Sequence, residues 1–135
     1  MLKVVVLSLS VFAFGCSGVQ IEEMPIRNTD MILEVIKTNA HPFLAEYDFR
    51  LVIKSHGKEI DVVDMTGDTG GLSRIIVLRL DEHTIAFKDH AKTVCMNLVK
   101  KGFEDCLGKR GGLDVGYFDF DSSHKWRFIS ESVKY

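Results

Sequence analysis

Glu46-Tyr47-Asp48-Phe49-Arg50-Leu51-Val52-Ile53-Lys54 is the stretch that decides the fold. Tyr47, Phe49, Leu51 and Ile53 alternate with Asp48, Arg50 and Lys54. Successive side chains of a strand point to opposite faces, so a period of two with one apolar face predicts a half-buried antiparallel strand. Ser55-His56-Gly57-Lys58 then turns the chain, and Gly57 can take positive φ without steric cost. Glu59–Asp64 returns as the partner strand, with Ile60 and Val62 expected on one face.

Upstream, Met31–Thr38 admits two readings. Thr29 or Asp30 could cap a helix with Met31, Ile32, Val35 and Ile36 on one face. The run is short and rich in β-branched residues, so we read a strand paired with the next one across Asn39–Ala45. Ser17–Thr29 is polar, contains Pro25 and lacks a clean period. It reads as a tether, with an arm packed on the domain through Ile21, Met24 and Ile26 as the alternative.

Downstream, Met65–Leu72 is a glycine-rich connection. Ser73–Leu80, Thr84–Lys88 and Lys92–Val99 read as strands joined by short turns, a meander. Lys100–Gly112 is charged and glycine-rich and breaks the pattern. Leu113–Asp119 and Trp126–Ile129 close the chain as a hairpin with aromatic cross-strand pairs. About eight strands at regular spacing predict a single all-β domain over residues 30–135, an antiparallel meander built as a barrel or a sandwich.

Lys3 supplies a positive start, and Val4–Phe14 is apolar apart from Ser8 and Ser10. Such a run is too short to cross a hydrocarbon core, which takes about 20 helical residues, and it has the proportions of a secretory signal. Ala13-Phe14-Gly15 places small residues at the third and first positions before a cut ahead of Cys16. Over Met1–Cys16 the chain resembles a bacterial lipoprotein precursor. It departs from the usual lipobox in carrying Ala13 where leucine is commonest and Phe14 where a small residue is usual.

The resemblance implies cleavage of a signal peptide over residues 1–15, acylation of Cys16, and a lipidated N-terminus and tether over residues 16–29. It implies a cell-envelope protein facing the periplasm, held to the membrane by its acyl chains. Ser17 after the cysteine points to the outer membrane. An ordinary signal peptidase would also accept Ala-x-Gly, giving a secreted periplasmic protein instead.

The composition agrees with a single exported domain. The chain of 135 residues carries 17 Lys+Arg and 19 Asp+Glu, a formal net charge of −2. Loss of the leader leaves 120 residues, enough for one core. No clustered basic face indicates a nucleic-acid partner. With Cys16 acylated, Cys95 and Cys106 remain, and an even remainder in an oxidising compartment reads as a disulfide.

No cofactor or catalytic motif is present. G-x-S-x-G and H-E-x-x-H are absent, and the Gly67–Gly71 cluster lacks the Lys and the following helix of a phosphate loop. Neither Asp61, Asp64 and Asp68 nor Asp114, Asp119 and Asp121 have calcium-loop spacing, so no metal site is assigned. His83 and His124 with Asp81 and Asp121 form the one titratable set that meander turns could bring together. Tyr117 and Arg127 fall opposite the neighbouring phenylalanines and are the candidate partner surface.

The expectation is therefore a non-enzymatic envelope lipoprotein that binds another macromolecule, with an envelope protein as the candidate partner. Inhibitors of wall-degrading enzymes and toxin-immunity lipoproteins share this build, at the level of fold analogy. The alternative is a small-ligand or metal-binding β-domain with a mouth between the Gly67–Gly71 and Lys100–Gly112 loops. A hydrolase using the histidine set is the third reading.

Overall fold

The computed structural model describes residues 18–39, 47–67, 74–109, 111–120 and 126–130. The leader, Cys16, Asp68, Asp121 and His124 lie outside them. Among the described residues ten strands form: β1 (Gln20–Pro25), β2 (Met31–Asn39), β3 (Tyr47–Ser55), β4 (Lys58–Asp64), β5 (Ile75–Asp81), β6 (Thr84–Lys88), β7 (Thr93–Asn97), β8 (Gly102–Glu104), β9 (Leu113–Phe120) and β10 (Trp126–Ser130). No helix occurs among the described residues. The strands make two antiparallel sheets, β1-β2-β3-β4 and β10-β9-β5-β6-β7-β8. The fold is sandwich-like, not a closed barrel.

All eight expected strands have counterparts. The two additional ones lie where the pattern was hidden. β1 sits in the stretch read as a tether, with Met24 and Ile26 buried but Ile21 exposed. β8, three residues long, sits in the charged glycine-rich stretch. The path is also not one meander. β9 does not continue from β8 but returns to pair with β5.

The β3–β4 hairpin follows its turn chemistry. His56 and Gly57 take φ of 50° and 75°, so both central residues are left-handed, as a two-residue hairpin turn prefers. A register shift then sets Asp61 opposite Ile53 and Val63 opposite Leu51. Val63 thus packs on the core, while Ile60 is exposed and Val62 pairs with Val52 on the outer face.

Inward side chains of both sheets make one core. Leu33, Val35, Leu51 and Ile53 face Ile75, Val77, Phe87, Met96 and Phe118, all fully buried. Burying each such side chain contributes about 1.5–3 kcal/mol. Trp126 stacks on Phe49 with ring centroids 5.2 Å apart. Beside them Lys37 points inward, its Nζ 3.9 Å from the Tyr47 ring centroid. Burial lowers its pKa from 10.5 to about 8.

Two inward carboxylates join the sheets at their lateral edges. The Phe128 N–H of β10 donates to Glu22 Oε1 of β1 at 3.3 Å. The Phe103 N–H of β8 donates to Asp61 Oδ2 of β4 at 2.8 Å. β1 therefore lies over β10, and β4 over β8.

Strand directions give the sandwich two ends. Gly18 enters at the proximal end beside Asn39, where β5 and β10 begin and β6 turns into β7. The distal end gathers the β1–β2, β3–β4, β5–β6 and β7–β8 turns and the β8–β9 loop.

Gly116 (φ 158°) faces the core, and the ring of Phe128 lies over it. A Cβ there would overlap the Ile129 carbonyl oxygen and approach Phe128 to 2.8 Å. Gly116→Ala should destabilise the domain by about 1–3 kcal/mol, read as a lower urea midpoint with an unchanged slope. An unchanged midpoint would show that the β9–β10 register can yield.

Candidate functional site

The distal end owes its shape to the Cys95–Cys106 disulfide. Cys95 lies on the outer face of β7, since its neighbours Val94 and Met96 face the core. The bond therefore draws the β8–β9 loop across the outside of the second sheet. Ala86 and Thr84, outward residues of β6, are each only 1% exposed beneath it. Lys109 Nζ completes the closure, donating to Thr84 Oγ1 at 2.7 Å and to Asp81 Oδ2 at 3.1 Å.

Asp81 is the polar centre of this end. Its Oδ1 accepts the His83 N–H at 2.8 Å. That bond, then those from Lys109 and Thr84, lower its pKa from 3.8 to about 2. A second carboxylate ties the turns together. Asp30 accepts from Ser55 Oγ and pairs with His56 Nε2 at 2.9 Å and Lys101 Nζ at 3.4 Å. The Ser55 hydroxyl is the main cause of its lowered pKa.

Against this braced background three apolar side chains stand out. Leu107 is 82% exposed, Val99 68% and Leu113 55%. They occupy the β8–β9 loop, the β7–β8 turn and the start of β9. Val99 borders a depression with Asp81, His83, Asn97 and Lys100. Leu113 borders an adjoining one with Arg79, Leu80 and Asp81. The sequence reading passed over all three. The one available signal was Leu107, a lone apolar residue between Cys106 and Gly108 in a charged loop.

The residues singled out from sequence fall elsewhere. Tyr117 and Arg127 lie on the outer face of the second sheet, Tyr117 half-buried and Arg127 exposed. The fold adds two residues to them. Arg74 sets its guanidinium 4.1 Å from the Tyr117 ring centroid and pairs with Asp119 at 2.9 Å, and Asp119 lies opposite Arg127.

His83 and Asp81 meet at the distal end. Phe120 and Trp126, which flank the segment holding Asp121 and His124, lie at the proximal one. Likewise Gly67 contacts Asp48 near the proximal end, whereas Lys101 reaches Asp30 at the distal end. The described parts of the two loops expected to share a mouth are thus at opposite ends. A proximal groove of about 470 Å³ lies among Ile36, Thr38, Arg50 and Met65. No group of three metal-ligating side chains occurs among the described residues.

Comparison of the chain with protein-family models, curated proteins and solved structures found no match in any of the three.

The Asp81 network carries a pH signature. A carboxylate with a lowered folded pKa stabilises above its unfolded value, and that contribution is lost as pH falls through the folded value. Between just below pH 4 and about pH 2 the β8–β9 loop should therefore loosen, seen as lower amide protection, relative to the intrinsic exchange rate at each pH, at His83 and Lys109. Asp81→Asn should flatten this dependence. An acid response identical in the variant would refute the assignment.

Proposed function

We propose that the protein is a small lipid-anchored envelope protein that works without catalysis, as an interaction module for another macromolecule, in the manner of an inhibitor or immunity protein. The observation that carries the reading is the division of the sandwich into two ends. The first strand begins at one end, four residues after Cys16, while Val99, Leu107 and Leu113 are exposed at the other. An anchor at Cys16 would hold the proximal end to the membrane and present the distal turns to the periplasm.

The chemistry of the distal end suits a protein partner. Exposed aliphatic side chains supply apolar contact, and the surrounding Lys100, Lys109, Glu82 and His83 supply a polar rim. The disulfide and the Lys109 bonds restrain the loop before binding, which lowers the ordering cost of association.

A photo-cross-linking amino acid in place of Leu107 should give a discrete protein adduct in the intact envelope. The same probe in place of Ile21, on the outer face of the first sheet, should give none. Val99→Asp with Leu113→Asp should reduce the adduct at least about tenfold, equivalent to about 1.4 kcal/mol of lost contact. Absence of a site-specific adduct at Leu107, or equal adducts at both sites, would overturn the reading.

A further inference from the structure

We propose that the proximal half of the outer face of the second sheet is a docking surface for an anionic phospholipid bilayer. The proposal rests on the anchored reading above for the position of the bilayer. Over β6 and β7 the distal part of this face is covered by the disulfide-held loop. The proximal half is open and has a defined composition.

An apolar row crosses three strands there: Ile129 on β10, Tyr117 on β9 and Ile76 on β5. Ile76 is 37% exposed, and its other neighbour, Lys88 on β6, extends the row with an exposed cation. Arg127 and Arg74 flank it across Asp119. Among the described residues this patch thus sets three cations, Arg74, Lys88 and Arg127, against one carboxylate. The whole chain is net negative, at −2. Cations around an exposed aliphatic and a tyrosine ring match a lipid headgroup region, which attracts positive charge and accommodates aromatic rings.

Position adds a second argument. Only Ser17, Gly18 and Val19 separate Cys16 from β1. At about 3.3–3.6 Å per residue, the link reaches roughly 14 Å at full extension. β1 lies over β10, the strand that carries Arg127 and Ile129. An acyl anchor on Cys16 therefore keeps the domain against the bilayer, with this patch beside the attachment point.

The test uses Ser17–Tyr135, which contains every described strand, exported so that the disulfide forms. Its sedimentation is measured with vesicles of phosphatidylcholine alone and with about one-third phosphatidylglycerol. The anionic vesicles should bind it at least about tenfold better, and high salt should abolish the difference. Each cation near such a surface changes binding roughly fivefold, so Lys88→Gln with Arg127→Gln should weaken it about 25-fold at unchanged melting temperature. Lys58→Gln with Lys100→Gln, at the distal end, should leave binding as it was.

Equal binding to both vesicle types would overturn the proposal, as would an equal loss from the distal pair. The anchor is read separately, from the intact mass of the full-length product. A product without acyl chains on Cys16 would refute the anchored reading, while the vesicle measurement would still decide the face.

Discussion

At each lateral edge of the sandwich, a carboxylate on the first sheet accepts a backbone N–H from the edge strand of the second. Glu22 and Asp61 are the residues concerned. Leaving such an N–H without a partner where water is excluded costs about 1–3 kcal/mol, so these bonds fix how the sheets meet. They also explain why no barrel forms. The edges close through side chains instead of continuing the ladder, and an inward charge on an edge strand opposes pairing with another chain. With β1 over β10 and β4 over β8, the identity of the two ends follows.

The two ends are built differently. At the proximal end Lys37, Tyr47, Phe49 and Trp126 fill the space between the sheets. At the distal end the turns are joined by charge, through Asp30 and Asp81, and by one covalent bond. A disulfide that closes so short a loop contributes somewhat under ~3 kcal/mol in the chain-entropy model. Its larger consequence is positional. It lays a polar loop over outward Ala86 and Cys95, leaving the remaining proximal area of that face for Arg74, Tyr117 and Arg127.

The legible parts of the fold were those in which one strand carries its own signal. Tyr47–Ile53 alternates so cleanly that its strand and inward residues could be read directly. Tyr117 and Arg127 could be assigned outward because Phe118 and Phe128 alternate with them. Cys95 and Cys106 could be paired by parity once Cys16 was set aside. β1 escaped because Glu22, on its inward face, breaks the apolar alternation for the sake of a bond to β10. β8 escaped because three residues cannot show a period. The return of β9 to β5 escaped because pairing across so many intervening residues leaves no local trace. The same reason hid the site. Arg74 reaches Tyr117 and Asp119 from far along the chain, and Leu107 stands out only once the disulfide has placed its loop.

The central claim is that the domain has a membrane-facing side and a partner-facing end. Hydroxyl-radical footprinting of the acylated protein on anionic vesicles, compared with the same protein in detergent, tests it most directly. The account predicts that Tyr117, Ile129 and Ile76 lose labelling on the vesicles while Val99, Leu107 and Leu113 keep theirs. Protection of Leu107 and Val99 by the bilayer, with Tyr117 and Ile129 still labelled, would contradict it.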